Sequence, residues 1–413
     1  MSADAVTRTP VSWAAARSLA YAAGLAAAAP PVRVPLPEAD GLVLAEPLTA
    51  RTDLPAFPTS SVDGWAVRGP APWRVVGRVL AGAPAPPLTQ DGTAVEIATG
   101  AMVPRGAAAV VRVEESRRTA DGLVTGAPRP QPEWRERGEE AAAGEALLPA
   151  GTVVTPAVLG LAASCGHDAL TVRAAPRAAL RVFGDELLTV GPPGDGRVRD
   201  ALGPSVPAWL RRYGAAVPTA PAGSAAPVAD TLAAHVSAIR SALADAELVC
   251  TTGGTMHGPV DHLHPALGAL GGEYVVNTVA VRPGFPMLVA RVPGPDGRPR
   301  FVAGLPGNPQ SAVVALVSLV APLLAGLCGR PEPEPATVRL GAPVPGRGDF
   351  THLALVRVDR ADGAAYPVRH VGSAMLRGLA LADGFAVIEP GTSGEPGARV
   401  PLVPLPLLAG ERP

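Results

Sequence analysis

The sequence contains no lysine, and all 35 of its basic residues are arginine. A Walker-type phosphate loop, which needs a lysine after its glycines, is therefore excluded. Aromatic residues make up only 4% of the chain and the formal net charge is -1, so neither a base-stacking surface nor a basic field for nucleic acid or an acidic membrane is expected. Charged residues are also few, at 17%, whereas hydrophobic residues reach 47%, which is typical of a globular chain.

Cysteine is equally scarce. Cys165, Cys250 and Cys328 lie far apart in apolar contexts, whereas a disulfide framework or a zinc site would need closer groupings. We therefore expect three buried thiols in a reducing cytoplasm. The apolar run at residues 311–327 is nearly as long as a membrane span, but Pro322 interrupts it and glycine-rich loops flank it. We predict a buried helix there, in a soluble, cytoplasmic protein.

The 413 residues are enough for two to four domains. Residues 10–24 have the composition of a helix, with Ser12 as its N-cap and Gly24 as its end. From about residue 30 to residue 149, short valine-rich segments alternate with proline and glycine turns, which predicts a β-rich region. Its clearest strands are predicted at residues 73–79, 93–98 and 109–113.

Beyond a boundary near residues 174–177, strand, glycine turn and helix follow one another, as in a parallel sheet with crossover helices. Helices are predicted around residues 207–213 and from about residue 230, where Leu232, Val236, Ile239 and Leu243 are spaced for one helical face. Strands of this region are predicted at residues 178–183, 248–252 and 301–305. Further short strands are predicted at residues 338–344, 354–358, 385–388 and 400–407.

These patterns predict a multidomain fold of the α/β and β classes. An N-terminal region covers residues 1–177 and contains an inserted β-rich domain at about residues 50–145. A ligand-binding α/β domain with a parallel-type sheet covers residues 178–330, and a small C-terminal β domain, expected to be barrel-like, covers residues 335–413.

Two glycine turns at the ends of apolar strands are the strongest local signals. One includes Thr252, Gly253 and Gly254, and the other runs through Pro306, Gly307, Asn308 and Pro309. Ligands of an open parallel sheet bind outside the carboxyl ends of its strands, and glycines let the backbone approach a phosphate closely. A helix that follows such a turn offers N–H groups to an anion. The pair of turns predicts a pocket for a phosphorylated ligand, although each turn alone fits a purely structural role equally well.

Acidic residues in loops are the second signal. Asp63 lies in an N-terminal loop, Asp185 and Glu186 follow a predicted strand, and Asp261 follows the first glycine turn. Carboxylates beside a phosphate pocket suit Mg²⁺, which binds oxygen ligands and shares them with phosphates. A single loop carboxylate is more often just solvated, but the sheet-end positions of Asp185, Glu186 and Asp261 favour a functional role.

Other constellations are weaker. His257, His262 and His264 lie close to Asp261, but no second ligand cluster supports a transition-metal site, so phosphate contacts or exposed loop histidines are favoured. No nucleophile elbow or cysteine–histidine pair is evident. Arg282 is a candidate for binding an oxyanion, with a surface role as the equal alternative. The residues by themselves indicate a phosphorylated small ligand, with Mg²⁺, in the α/β domain.

Several segments together resemble the molybdopterin molybdenumtransferases, the family of bacterial MoeA and the gephyrin E-domain, and they occur in family order. The segment from Leu54 to Asp63-Gly64-Trp65-Ala66 is similar to a family signature that ends in Met-Asp-Gly-Tyr-Ala. The segments around Thr99-Gly100-Ala101 and from Arg135 to Glu140 resemble its Thr-Gly-Ala and Arg-x-x-Gly-Glu-Asp motifs. The remaining similar segments are Gly184 to Leu187, Thr252 to Gly254 with Asp261, Gly304 to Pro309, and Gly372-Ser373 with Leu379-Ala380 and Gly384.

The resemblance implies a four-domain subunit, whose third domain binds molybdopterin, and a homodimer with sites between subunits. It implies a Mg²⁺-dependent reaction in which adenylylated molybdopterin and molybdate give molybdenum cofactor and AMP. By position, the catalytic set would be Asp63, Thr99, Glu140, Glu186 and Asp261, with Glu186 and Asp261 as metal ligands. The residues implied to bind the ligand are Thr252, Gly253, Gly254, Arg282, Pro306, Gly307, Asn308, Pro309 and Ser373.

The chain also departs from the family pattern. Ala108 stands where a carboxylate is usual, Leu202 follows Ala201 in place of a Ser-Asn pair, and Phe285 replaces the second lysine of a Lys-Pro-Gly-Lys motif. Two alternatives to the enzyme therefore remain. One is a degenerate paralogue that binds or carries molybdopterin, or acts as a scaffold, without inserting metal. The weaker one is a related adenylyltransferase that uses the α/β domain alone.

Overall fold

The computed structural model describes residues 10–218, 227–255 and 261–407. The chain divides into two compact units. The first consists of Met1–Val32 together with Arg173–Pro413, and the second is Arg33–Val172. The predicted fold class, multidomain α/β and β, is confirmed.

The second unit is built mainly of strands. Its largest sheet is six-stranded, and the predicted strands at Trp73–Val79, Thr93–Ile97 and Ala109–Arg112 are confirmed in it. Alternating residues of these strands belong to two separate hydrophobic clusters, for example Val95 in one and Ala94 in the other, as the residue period of two along a strand requires. The spatial order of that sheet is Ala109–Arg112, Gly64–Arg68, Thr93–Ile97, Trp73–Val79, Leu123–Gly126 and Ser116–Arg118.

Smaller elements complete the second unit. The helix Pro156–Ser164 begins at Thr155, whose hydroxyl accepts the N–H of Val158. A three-stranded sheet contains Val32–Pro35, Ala169–Arg173 and Val43–Leu44, and two strand pairs are Thr59–Ser60 with Trp134–Arg135 and Leu48–Thr49 with Ala146–Leu148. Short 3₁₀ helices lie at Leu36–Glu38 and Val113–Glu115.

The first unit contains a five-stranded sheet and its helices. Ala178–Val182, Leu248–Thr252 and Pro299–Leu305 are parallel, as predicted. Leu288–Pro293 extends the sheet antiparallel to Pro299–Leu305, and Glu273–Asn277 forms the edge, antiparallel to Leu288–Pro293. Neither strand was predicted. The helices of this unit, besides the long apolar one, are Trp13–Ala26, Leu202–Arg212, Leu232–Leu243 and Leu263–Ala269. A short parallel pair is formed by Leu187–Leu188 and Val198–Arg199.

The long apolar segment forms one helical rod, Pro309–Ala315, Leu316–Val320 and Ala321–Leu327, whose middle part is a π-helix. The widened turn precedes Pro322, which has no N–H to donate to the carbonyl four residues back. Within the described part of the chain, this is the one helix long and apolar enough to span a membrane, and it is entirely buried. The prediction of a buried core helix is confirmed.

The C-terminal part of the first unit is a closed five-stranded barrel. The ring runs Thr351–Val358, Ala364–Pro367, Ala336–Leu340, Arg399–Pro404 and Gly384–Ile388, and then back to Thr351–Val358. Val281–Arg282 adds a parallel strand to Thr351–Val358. A 3₁₀ turn lies at Leu379–Leu381. Four of the barrel strands were predicted, and Ala364–Pro367 was not.

Three sequence-based predictions need correction. The first helix does not end at Gly24 but continues to Ala26, because Gly24 serves a close helix crossing: an added Cβ there would lie 2.2 Å from the Leu323 carbonyl oxygen. The helix predicted around Pro207 begins earlier, at Leu202, because the Asp200 carboxylate accepts the N–H groups of Leu202 and Gly203. The three cysteines are free and buried, as predicted.

The third correction concerns the buried face of helix Leu232–Leu243. Leu232 is exposed and Val236 is half-buried, whereas Ile239 and Leu243 are buried as predicted. His235 and Ala242 are buried as well, so at the start of the helix His235 takes the place expected for Leu232 and Val236. The helix turns its histidine inward because Phe183 offers the imidazole a stacking surface.

Candidate functional site

Three loops of the first unit begin at the carboxyl ends of the parallel strands, along one edge of the sheet. Val182, Thr252 and Leu305 are in register across neighbouring strands, so the chain leaves the sheet at the same level three times. We call the three exits the acidic loop (Phe183 to Glu186), the glycine turn (Gly253 and Gly254) and the Pro-Gly turn (Pro306 to Pro309). The N–H of Gly253 donates to the Leu305 carbonyl over 3.0 Å, which joins two of the exits directly.

The glycine turn and the Pro-Gly turn approach each other closely. Gly253 and Gly254 have φ values of +84° and +64°, which side-chain-bearing residues rarely adopt. A Cβ added at Gly307 would lie 3.8 Å from the Cα of Gly253. Pro306 is buried, while Gly307 and Asn308 are exposed. The two turns therefore present bare backbone to whatever binds at this edge.

The two threonines that end strand Leu248–Thr252 have hydroxyl groups without a hydrogen-bond partner in the described chain. Thr251 and Thr252 are 0% and 2% exposed, and neither Oγ1 has a hydrogen-bond partner within the described residues. A buried hydroxyl without a partner costs free energy unless a ligand or water supplies one. Thr252 directly precedes the glycine turn, so its hydroxyl, like the bare backbone, suits an anionic ligand.

The N-terminus of helix Pro309–Ala315 is already capped. The N–H groups of Gln310 and Ser311 both donate to the Ser373 carbonyl, over 2.9 and 3.2 Å. In return, the Gln310 side-chain oxygen accepts the N–H of Gly372 over 3.2 Å. The sequence led us to expect these helix N–H groups to be open to an anion. Ser373 contacts the site through its backbone instead, and its side chain is exposed.

The two carboxylates predicted as metal ligands differ in setting. Glu186 is exposed, and its carboxylate folds back over Gly184: a Cβ added there would lie 2.7 Å from Glu186 Oε2. Asp261 is half-buried and begins the segment that leads into helix Leu263–Ala269. Residues 256–260, with the candidate His257, lie outside the described residues. Among those described, no three histidine, cysteine, aspartate or glutamate side chains converge as metal ligands would.

The neighbouring histidines have protein partners. His264 Nδ1 lies 2.7 Å from the Tyr274 hydroxyl oxygen, and its Nε2 lies 3.4 Å from the Thr255 carbonyl oxygen. His262 presents its ring edge-on to His235, with 5.5 Å between centroids. His235 itself was not predicted as a site residue. The available signal was its position four residues before Ile239 and seven before Ala242, on one helical face.

Arg282 is exposed and lies over two aromatic rings. Its guanidinium carbon is 5.2 Å from the Phe285 ring centroid and 4.6 Å from that of Phe350. The two rings meet edge to face, with 5.6 Å between centroids. The following Gly284 packs on the Pro309 helix, where an added Cβ would lie 3.2 Å from the Ser311 carbonyl oxygen. Arg282 is thereby held as an outward-facing cation beside the helix that follows the Pro-Gly turn.

In the second unit, three predicted residues lie on connected loops. Asp63 Oδ1 accepts the backbone N–H and the hydroxyl of Thr99, over 2.7 and 3.1 Å. Strand Thr59–Ser60 pairs with Trp134–Arg135, and Ser60 also bonds to Gly100 and Ala101. Glu140 accepts a 2.8 Å hydrogen bond from Arg135. All three side chains are exposed.

Gly64 fixes the position of Asp63. A Cβ added at Gly64 would lie 2.0 Å from the Val111 carbonyl oxygen, so only glycine lets the strand start this close to its neighbour. Ala108, where the resemblance led us to expect a carboxylate, is joined to the same strand by its N–H, which donates to the Val67 carbonyl over 2.7 Å.

Comparison with known proteins relates these parts of the chain to known protein families. Family models described as the MoeA N-terminal region (domains I and II), a probable molybdopterin binding domain and the MoeA C-terminal region (domain IV) match residues 11–166, 179–326 and 337–405. Two solved structures of a molybdopterin biosynthesis MoeA protein from Pyrococcus horikoshii have TM-scores of 0.76 and 0.75 at 24% and 21% identity. They cover 96% and 95% of this chain, and 99% of each solved chain, which shows the shared fold.

The order of these matches defines a MoeA-type chain. Molybdopterin molybdenumtransferase 2 of Mycobacterium tuberculosis is 36% identical over 321 residues, 73% of this chain and 76% of the relative. A molybdopterin molybdenumtransferase of Staphylococcus aureus is 30% identical over 322 residues, 75% of this chain and 74% of that protein. The chain belongs to the molybdopterin molybdenumtransferase family, and the resemblance noted in the sequence is confirmed.

Proposed function

We propose that this protein inserts molybdenum into molybdopterin: it takes adenylylated molybdopterin and molybdate, and it releases molybdenum cofactor and AMP. The names of its relatives support this reaction, since they are molybdopterin molybdenumtransferases. The observation that carries the proposal is the edge of the α/β sheet. Two backbone-lined turns meet there, next to a buried threonine hydroxyl without a partner in the described chain.

Binding of the phosphorylated ligand is assigned to this edge. The glycine turn and Gly307 leave room for phosphate oxygens against the backbone, and the Thr252 hydroxyl can donate to one of them. Arg282 supplies a cation in a fixed orientation. Pro306, Asn308 and Pro309 shape the second turn, and Ser373 keeps the helix behind it in place through its carbonyl.

Glu186 and Asp261 are proposed to hold Mg²⁺ against the ligand's phosphates. Both are loop carboxylates of the sheet edge, and Mg²⁺ in phosphate sites is usually bound by one or two carboxylates together with substrate oxygens. The ion would offset the charge that develops as the bond between the two phosphates breaks. Glu186, folded over Gly184, is exposed and can turn toward the ligand.

Asp63, Thr99 and Glu140 are proposed to take part in the same reaction from the second unit. The Thr99 hydroxyl fixes the Asp63 carboxylate, which leaves Oδ2 as a hydrogen-bond acceptor. Arg135 orients Glu140 in the same way. The support for their role is their position in the segments that resemble the family's motifs.

Two further parts of the proposal concern the protein as a whole. We propose a homodimer, which the resemblance implies, and a cytoplasmic location, which three free buried thiols support. Light scattering of the purified protein would give the mass directly, with two 41.6 kDa chains expected.

One structural observation favours a second candidate, a paralogue that binds molybdopterin without inserting metal. Phe285 packs edge-on against Phe350 beneath Arg282, at a position where the resemblance implies a second cation. With one cation fewer, a site can retain its ligand and still lose transition-state stabilisation.

The two candidates differ in AMP release. Purified protein would be given adenylylated molybdopterin, molybdate and Mg²⁺, and AMP and active cofactor would be measured with an Asp261→Ala variant alongside. Turnover that is lost in the variant supports the enzyme. Tight binding of molybdopterin without AMP release supports the paralogue.

A further inference from the structure

His235 lies among the loops that leave the carboxyl edge of the sheet. Helix Leu232–Leu243 buries it fully, with 0% of its surface exposed. Its ring stacks on Phe183, with 3.7 Å between ring centroids and 15° between ring planes. Phe183 is the first residue of the acidic loop, so the imidazole packs directly against the start of that loop.

A polar chain connects His235 to the same loop. Its Nε2 lies 3.4 Å from Asp230 Oδ1, and the other oxygen of Asp230 accepts the N–H of Asp185 over 3.4 Å. Asp185 is the residue before Glu186. The imidazole therefore fixes the carboxylate that anchors the backbone next to Glu186, in addition to supporting Phe183.

The ring also contacts the other exits from the sheet. A Cβ added at Gly254 would lie 3.8 Å from His235 Cε1, so the imidazole is adjacent to the glycine turn. His262 meets it edge-on, with 5.5 Å between centroids and 89° between planes. His262 follows Asp261 directly. His235 is thus in contact with the acidic loop, which contains Glu186, with the glycine turn, and with His262, the residue after Asp261.

We infer that His235 is a positioning residue, which holds the acidic loop, the glycine turn and the start of the Asp261 segment in one arrangement. Its effect on turnover rests on the proposed function, whereas its effect on the loops does not.

The imidazole acts in this role as a neutral ring. Burial lowers the pKa of His235, and the opposing effect of Asp230 is the smaller one. Since Asp230 accepts, Nε2 carries the proton, and Nδ1 is a buried acceptor without a partner in the described chain. The two contacts are separable: phenylalanine at this position would keep the stack without the hydrogen bond, and glutamine would keep an N–H donor without the ring.

Amide hydrogen exchange tests the inference without any ligand. His235→Phe and His235→Gln would be compared with wild type in peptides that cover Phe183–Glu186 and Gly253–Thr255. With phenylalanine, exchange at the Asp185 amide should be about 3- to 10-fold faster, the range expected for loss of one supporting hydrogen bond. Glutamine should restore part of that protection. Ile239→Val is the matched control, because it removes one methylene from the same buried helix face and leaves the ring stack and the hydrogen bond of His235 in place.

Wild-type exchange rates in His235→Phe would overturn the inference. So would an equal increase in the Ile239→Val control, since that would mark a general loosening of the helix. Thermal unfolding of each variant verifies that it is folded before exchange is compared.

Turnover gives the second readout. His235→Phe should lower kcat for AMP release by about tenfold and change KM less, because displaced carboxylates affect the bond-breaking step more than binding. Unchanged kcat in an active enzyme would overturn the inference and leave the proposed function intact. If the wild-type protein releases no AMP, the proposed function fails, and the exchange data still decide the role of His235.

Discussion

The carboxyl edge of the α/β sheet and the Asp63–Thr99 loop are built in opposite ways. At the sheet edge, Thr251, Thr252 and His235 are buried and each has a polar atom without a partner in the described chain. In the Asp63–Thr99 loop, the side chains are exposed, and the Asp63 carboxylate already accepts two hydrogen bonds. Both regions have acidic residues, so charge alone does not distinguish them.

The difference indicates separate tasks. Unsatisfied buried polar groups reduce stability, and such groups are tolerated where a ligand supplies the missing bond. Exposed carboxylates with hydrogen-bond partners cost little and keep a fixed orientation. We therefore expect changes at the sheet edge to alter ligand binding and turnover, and changes in the Asp63–Thr99 loop to alter turnover more mildly.

The largest effect is expected from Glu186→Gln at the sheet edge. Loss of the charge that we propose holds Mg²⁺ against the ligand's phosphates should lower kcat for AMP release by about 100-fold. The free energy of unfolding should change by less than about 0.5 kcal/mol, since Glu186 is exposed. Steady-state kinetics and thermal unfolding would measure both. Asp245→Asn, an exposed carboxylate at the amino end of the same sheet, is the control, and a similar loss there would refute the assignment.

A glycine substitution in the second unit should instead have its main effect on the free energy of unfolding. Gly64→Ala places a Cβ 2.0 Å from the Val111 carbonyl oxygen, so we expect it to lower the free energy of unfolding by about 2–3 kcal/mol. Gly160→Ala is the matched control, because Gly160 lies in helix Pro156–Ser164 with open space around it. Chemical denaturation should show a stability gain of up to about 1 kcal/mol for this control. Equal stability of the two variants would contradict the close packing at Gly64.

Gly307→Ala tests whether the ligand lies against the Pro-Gly turn at the sheet edge. The new methyl group meets only the Cα of Gly253, at 3.8 Å, so the fold should be unaffected. It occupies space assigned to the ligand, and we expect the Kd for molybdopterin to rise about tenfold. Calorimetric titration measures that Kd, with Gly268→Ala in the neighbouring helix as control. Wild-type affinity in Gly307→Ala would show that the ligand does not lie against this turn.

The smallest effect is expected from Thr99→Ala. Asp63 keeps the backbone N–H of Thr99 and loses only its hydroxyl, so kcat should fall by roughly threefold. Thr99→Ser retains the hydroxyl and should restore wild-type kcat. A drop in Thr99→Ala as large as that in Glu186→Gln would abolish the distinction between the two regions.

The sequence was informative where a pattern is local. Apolar runs that end in glycine marked the strands Leu248–Thr252 and Pro299–Leu305, and the turns after them, because strand burial and tight turns depend on adjacent residues. The buried thiols and the core helix Pro309–Leu327 followed from apolar context in the same way.

Contacts between distant segments were not predictable from those patterns. His235 was not predicted as a site residue, because its burial depends on Phe183, which follows the strand Ala178–Val182. The cap on the Pro309 helix comes from Ser373, far along the chain. The role of Gly24 depends on a helix crossing at Leu323, so its resemblance to a helix stop was misleading.

The most direct test of the account is AMP release from adenylylated molybdopterin in the presence of molybdate and Mg²⁺, with wild type beside Asp261→Asn. We expect AMP and active cofactor with wild type, and turnover lower by about 100-fold in the variant, which keeps the shape of the side chain without its charge. Wild-type protein that binds molybdopterin but releases no AMP would contradict it.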